Sequence, residues 1–166
     1  MKTILTRRSI RKYTKQAVSD DLINQILEAA MAAPSAGNGQ PWQFLVINDR
    51  KLLDEIPNLH PHAAMIREAP IAILVCGDLS KEKYPGFWPV DCAAATENLL
   101  LGVHAVGLGA VWCGIYPRDE RMDAFKKMLG IPEGIMPFAL VPIGYPGEEK
   151  PPSERFEKER IHYNKW

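Results

Sequence analysis

The sequence predicts one domain of the α+β or α/β class built on a single sheet, and three observations carry that prediction. Segments with apolar residues at helical spacing alternate along the chain with short apolar runs of strand length. A length of 166 residues suits one compact core and requires no second domain. The composition, 46% hydrophobic and 24% charged, is that of an ordinary soluble globular protein, and no internal repeat or low-complexity tract interrupts it.

The elements follow in order. Ser19-Asp20-Asp21 supplies an N-cap and an acidic first turn, and Leu22, Ile23, Ile26, Leu27 and Ala30 share one face, so a helix is predicted from about Asp20 to Ala33. Pro34 stops it, and the breakers and small polar residues of Pro34–Pro41 make a loop. Trp42–Ile47 is a strand, with Asn48-Asp49-Arg50 turning out of it. Lys51–Ile56 and Ala63–Glu68 are expected as short helical pieces. Ile71–Cys76 is continuously apolar, as a central strand covered on both faces would be. The run from Val90 to Ala105 after Pro89 forms a long helix that is apolar around most of its circumference. Such a helix is buried either in the core or against another subunit. Gly107–Gly114 is expected as a glycine-bounded strand, Asp119–Leu129 as an amphipathic helix closed by Gly130 and Pro132, and Ile135–Ile143 as the last strand. The tail, Gly147–Trp166, is rich in proline and charge yet carries Phe156, Ile161, Tyr163 and Trp166, anchors that predict docking on another surface.

Charge excludes some functions. Twenty basic side chains balance twenty acidic ones, which argues against a general nucleic-acid or anionic-membrane binder. The apolar runs are too short to span a bilayer and the first residues lack the apolar core of a signal peptide, so a cytoplasmic location is expected. Cys76, Cys92 and Cys113 form no C-x-x-C pair, and Cys76 and Cys92 are expected as buried small hydrophobes. His60-Pro61-His62 has no Glu or Cys partner at ligand spacing and reads as a loop with no metal.

Three segments could hold a ligand. Thr6-Arg7-Arg8-Ser9-Ile10-Arg11-Lys12-Tyr13 gathers four cations and a hydroxyl in a chain of zero net charge, which points to one anionic group, with a solvated basic turn as the alternative. In the Pro34–Pro41 loop Gly37 and Gly39 flank Asn38, so backbone can approach a ligand closely while Ser35, Asn38 and Gln40 offer polar groups; a plain helix-to-strand connection is the alternative. Gly107–Gly114 lacks a complete G-x-G-x-x-G and follows a helix, yet its N–H groups near Cys113 and Gly114 could bond a cofactor ring. With no G-x-S-x-G, H-E-x-x-H or triad spacing, no side chain is assigned as catalytic. An enzyme of this sequence would place its chemistry in a bound cofactor.

Taken together, Arg7-Arg8-Ser9-Ile10-Arg11, Ala32-Ala33-Pro34-Ser35, Asn38-Gly39-Gln40-Pro41-Trp42 and Gly107-Leu108-Gly109-Ala110-Val111-Trp112 resemble, in order and spacing, the nitroreductase family of flavin mononucleotide (FMN) enzymes. Gly144-Tyr145-Pro146, with Arg155-Phe156 and His162–Trp166 behind it, extends the likeness over almost the whole chain. The resemblance implies an α+β fold with a central, mostly antiparallel sheet flanked by helices, in an interlocked homodimer with FMN at the interface. It also implies that the 147–166 tail docks on the partner subunit. It would place Arg7, Ser9 and Arg11, with help from Arg8, on the FMN phosphate and ribityl chain, and leave Lys12 on the surface. Pro34, Ser35 and Ala36, with Asn38 and Gln40 beside them, would reach the ring from the partner. Trp112, Cys113 and Gly114 would lie along it, and Lys150 or Arg155 would add a late cation.

The implied activity is hydride transfer from NADH or NADPH through flavin N5 to a small electron-poor acceptor such as a nitroaromatic or quinone, in ping-pong fashion. A flavin-destroying or dehalogenating enzyme of the same fold and a flavin-binding module with little turnover are the alternatives. The sequence departs from larger members in lacking an acidic residue at Trp112-Cys113-Gly114 and a longer lid. Phe87 and Trp88 are candidates for stacking over the substrate side of the flavin, with core packing as the alternative.

Overall fold

A computed structural model describes residues 1–151 and 153–166. Among the described residues five α-helices run in chain order: α1 (Lys2–Thr6), α2 (Asp20–Met31), α3 (Arg50–Leu59), α4 (Trp88–Ala105) and α5 (Asp119–Leu129). Between them lie β1 (Trp42–Ile47), β2 (Ile71–Asp78), β3 (Gly109–Ala110), β4 (Cys113–Gly114) and β5 (Ile135–Gly144). The strands form one antiparallel sheet in the order β1-β2-β5-β3, with β4 also on β5. This is the α+β arrangement with a mostly antiparallel sheet.

Strand periodicity sorts β2 into two faces. Ala72, Leu74 and Cys76 meet Leu53 and Ile56 of α3 and Met122 and Phe125 of α5 in one core. Ile71 and Ile73 meet Ile23 and Ile26 of α2 and Leu99 and Val103 of α4 in the other. The continuous apolar run of β2 thus has the cause the sequence suggested: both of its faces are covered.

Several boundaries move. α2 stops at Met31 rather than Ala33, and β2 and β5 extend to Asp78 and Gly144. α3 starts at Arg50, capped by Asp49 Oδ1 on the Lys51 and Leu52 N–H groups at 2.7 and 3.2 Å, and it continues through Pro57 to Leu59. Ala63–Glu68 is reduced to a 3₁₀ turn at Ala64–Arg67. α4 takes in Trp88 and Pro89, and α1 has no counterpart in the sequence reading.

The expected strand at Gly107–Gly114 is corrected to two dipeptide strands in one register, with Val111 and Trp112 unpaired between them. That register sets Val111 opposite Pro142, which has no N–H to return. The other proline of this central strand, Pro137, sits where the register shifts between Val75 and Cys76. Pro142 thus interrupts the ladder on the edge side while keeping its register with β2, and Pro137 stands at a register shift.

Trp88 takes the core-packing alternative. It is buried, edge-on to Tyr116 with ring centroids 4.9 Å apart, and it lies so close over Gly77 that a Cβ there would come within 2.4 Å of its Cε3. Phe87 remains about half exposed and meets Tyr84 edge-on. Along α4, Cys92, Ala95, Thr96, Leu99 and Val103 are buried while Val90 stays 62% exposed, so the apolar circumference is covered on one side.

Candidate functional site

The basic segment is stitched to the sheet before its side chains do anything. The Ile10 N–H donates to the Ala110 carbonyl of β3 at 2.9 Å, and the Thr14 N–H to the Tyr145 carbonyl at 2.9 Å. The buried Tyr13 hydroxyl points at the carbonyls of Ile10 and Pro142, at 2.7 and 3.2 Å. Burial pushes its pKa far above the usual phenol value, so it stays a donor.

From this strap the cations diverge. Arg7 Nε pairs with Glu97 Oε1 at 3.4 Å. Arg8 donates from Nε to the Pro151 carbonyl at 2.9 Å and from Nη1 to the carbonyls of Leu5 and Arg7, at 3.0 and 2.6 Å. Its Nη2 is buried with no hydrogen-bond partner among the described residues. Arg7, Arg8 and Arg155 line one cavity of about 620 Å³, together with Glu97 and Glu154. Lys150 lies on the other side, donating from Nζ to the Ser9 carbonyl at 2.6 Å and pairing with Glu148 at 3.4 Å. The Arg11 N–H, donating at 2.6 Å, and then Lys150 hold the Glu148 carboxyl below the usual carboxylate range. The Arg11 side chain is exposed and lines a second cavity, of about 240 Å³, with Trp112, Cys113, Gly114, His60, His62 and Arg121.

Gly114 is the best-defined backbone in that cavity. Successive residues of an antiparallel strand turn their N–H and C=O to opposite sides. The Ile115 N–H donates across the sheet to the Phe138 carbonyl at 3.0 Å, so Gly114, one residue earlier, turns both groups outward. A Cβ on Gly114 would meet nothing nearer than the Tyr116 carbonyl at 4.0 Å, so the space above it is open. Its carbonyl accepts from His60 Nε2 at 2.9 Å and from Arg121 Nη1 at 2.6 Å. His60 is 2% exposed, and its Nδ1 accepts from the His62 N–H at 3.3 Å, which places the ring proton on Nε2. Burial, reinforced by Arg121, lowers the pKa of His60 below the ordinary histidine value. Cys113 is buried, and burial pushes its thiol up to about 11, away from nucleophile chemistry at neutral pH.

The Pro34–Pro41 loop lies elsewhere. Asp91, buried in the first turn of α4, accepts from the Ala36 N–H at 2.8 Å, and the Lys83 ammonium reaches the Gly37 carbonyl at 2.5 Å. Ser35 Oγ accepts from the Gln40 N–H at 3.0 Å, and the Gln40 side chain donates to the Asn38 side-chain oxygen at 3.1 Å. Asn38 and Gln40 both adopt left-handed backbone, with φ of 54° and 50°. For Gln this is an uncommon conformation that costs about 1–2 kcal/mol, and it is held by bonds within the loop. No hydrogen bond joins Pro34, Ser35, Ala36, Asn38 or Gln40 to Arg7–Arg11 among the described residues of one chain.

The residues that sequence reasoning passed over are His60, Arg121 and Asp91. In the sequence His60 reads as part of a loop, while Arg121 and Asp91 fall inside predicted helices and are not singled out. Their partners are 54, 7 and 55 residues distant in sequence. No local spacing reports such contacts.

A model of the family described as "Nitroreductase family" matches residues 4–64 and 57–145. The chain belongs to the nitroreductase family. A relative in Archaeoglobus fulgidus, provisionally named NADH dehydrogenase/NAD(P)H nitroreductase, is 49% identical over all of this chain and 98% of its own length. A crystal structure from Parabacteroides distasonis with the same provisional name superposes with a TM-score of 0.95 at 41% identity, covering 99% of this nitroreductase-family chain and 97% of the other. A further structure, a provisionally named nitroreductase from Desulfovibrio desulfuricans in complex with FMN, has a TM-score of 0.84 at 32% identity and covers 99% and 96% of the two chains.

Proposed function

We propose that this nitroreductase-family protein is an NAD(P)H-dependent flavin oxidoreductase that holds FMN between the Arg7–Arg11 strap and the outward edge of β4. The residues present fit that cofactor at both ends. At one end Arg8 Nη2 is a buried donor without a partner among the described residues, and the Arg8 residue lines a cavity with Arg7 and Arg155. An anion there would satisfy it, in competition with Glu97 on Arg7. At the other end Gly114 leaves open space where a side chain would stand, beside Arg11, Trp112 and Cys113. The relatives whose names carry NAD(P)H and FMN support the same reading.

Bound FMN would supply the chemistry: acceptance of hydride from NADH or NADPH and its ping-pong delivery to an electron-poor acceptor such as a nitroaromatic or quinone. The protein's part is binding, orientation and charge. Arg7, Arg8 and Ser9, with Lys150 or Arg155, would anchor the phosphate and ribityl chain. Arg11 would set a cation at the ring, where negative charge accumulates on reduction, and the Gly114 N–H would donate to it. Pro34, Ser35 and Ala36, with Asn38 and Gln40, would complete the site from a second copy of the chain. That arrangement requires a homodimer, with the partly uncovered side of α4 in the interface and the tail beyond Gly147 docked on the partner.

The observation that carries this reading is the Gly114 edge: an outward N–H, open space and an arginine in one cavity with no carboxylate among its lining residues. Titration of the purified protein with FMN should give a yellow complex that NADH or NADPH bleaches anaerobically and a quinone or nitroaromatic restores. A colourless protein that takes up no FMN would overturn the proposal.

A further inference from the structure

We infer that His60 and Arg121 are positioning residues that hold the outward Gly114 carbonyl, so that the Gly114 N–H on the same edge stands fixed as a donor at the cavity wall. The functional consequence rests on the FMN reading above, whereas the clamp itself does not.

The geometry is specific. Gly114 lies at the end of a two-residue edge strand, and its outward side has no neighbouring strand to hold it. Glycine is the residue most free to rotate, and a lone edge glycine would sample many orientations of its N–H. Two donors converging on one carbonyl, from α5 at 2.6 Å and from the end of α3 at 2.9 Å, remove that freedom by using both lone pairs of the oxygen. The His60 ring is fixed in turn by the His62 N–H on Nδ1, and Arg121 Nη1 sits 3.2 Å from His60 Nε2, so the two donors share one acceptor without bonding each other. The arginine bond is charge-assisted and is the stronger of the two. A donor so placed costs no reorganisation when a ring atom arrives, which is what a preorganised site requires. The carbonyl and N–H of Gly114 therefore divide the work: one is spent on the scaffold so that the other is free for a ligand.

The charged and titratable groups that face this arrangement are Arg11, His62 and Cys113, all lining the same cavity. Arg121 could act on a bound ring through its charge alone, and the test must separate that from its hydrogen bond. Arg121→Met removes the donor and the charge, whereas Arg121→Gln removes the charge and keeps an amide donor.

The first measurement uses the full chain without added FMN. The NMR order parameter of the Gly114 N–H should be near a rigid value of about 0.85 in the parent and in Arg121→Gln, and should fall below about 0.6 in Arg121→Met. In the FMN complex, anaerobic flavin reduction by NADH or NADPH should slow about tenfold or more in Arg121→Met, with most of the rate restored in Arg121→Gln and the FMN dissociation constant little changed. His60→Gln, which keeps a donor near the Nε2 position, should behave as Arg121→Gln does, and His60→Phe, which removes the donor, should lower the Gly114 order parameter and so gives a second route should Arg121→Met fold poorly. An unchanged order parameter in Arg121→Met overturns the clamp. Equal slowing in the Met and Gln variants overturns it in favour of a charge effect. A parent chain that binds no FMN overturns the functional reading alone, because the order parameters still decide the clamp.

Discussion

Ile10 and Tyr13 in the basic strap are 9% and 8% exposed, whereas Phe156 and Trp166 in the tail are 82% and 101% exposed. Both segments mix cations with apolar anchors and both run beside the same face of the molecule, where Arg8 Nε even meets the Pro151 carbonyl. The strap finds its partners within its own chain: backbone bonds to Ala110 and Tyr145, and a hydroxyl bonded to the next strand. The tail is bonded to the strap at its start, through Gly147, Glu148, Lys150 and Pro151, whereas from Ser153 onward its bonds among the described residues are local ones such as Arg160–Glu157 and Arg155–Ser153. The contrast separates what one subunit builds from what we propose two subunits build.

The comparison can be broken first at the tail. Trp166→Ala should weaken self-association by about 2–4 kcal/mol if this side chain is an interface anchor. Sedimentation equilibrium would show that loss, while far-UV circular dichroism of the subunit stays unchanged. A variant that dimerises as the parent does would place the tail outside the interface.

In the strap the largest effect is expected at Arg11, whose backbone is tied to Glu148 while its side chain stays free for a ligand. Arg11→Ala should weaken FMN binding by about 1.5–3 kcal/mol, the worth of a charged hydrogen bond. Fluorescence titration would report it, and an unchanged dissociation constant removes Arg11 from the site. Tyr13→Phe tests the stitching itself. It leaves two buried carbonyls without the hydroxyl and should cost about 1–2 kcal/mol in urea unfolding, with no change in FMN affinity.

The smallest effect is a pH dependence. Burial, then Arg121, lowers the pKa of folded His60 below the ordinary histidine value of 6.5, so as pH falls through 6.5 the unfolded chain takes up a proton before the folded one. Stability therefore falls as pH drops below about 6.5 and levels off once the folded histidine is also charged. Thermal melts across that range should show the slope in the parent and lose it in His60→Gln.

The same contrast explains how much was legible in the sequence. Periodicity located β1 and α5 to the residue because their patterns are short-range and bounded by caps and breakers. It merged β3 and β4 because what separates them is Pro142, on another strand. The site divides similarly. Arg7–Arg11 and Trp112–Gly114 stand out as motifs in one dimension, whereas His60, Arg121 and Asp91 acquire meaning only from the backbone groups they face. Trp88 looked like a ligand-facing aromatic because the glycine that receives it, Gly77, lies eleven positions back in a strand that reads as core.

The His60–Arg121 pair also bears on how this sheet edge is closed to another chain. An open strand edge is a template on which another chain can add a strand, and it is usually blocked by brevity, charge or cover. Here one side of the sheet ends in two dipeptides. Ile10 occupies the outward carbonyl of Ala110, and a histidine and an arginine occupy that of Gly114. Between them the strand is unpaired in any case. An incoming strand would find the carbonyls of Ala110 and Gly114 taken and a guanidinium in its path, so the groups that aim one N–H at a ligand also block part of this edge.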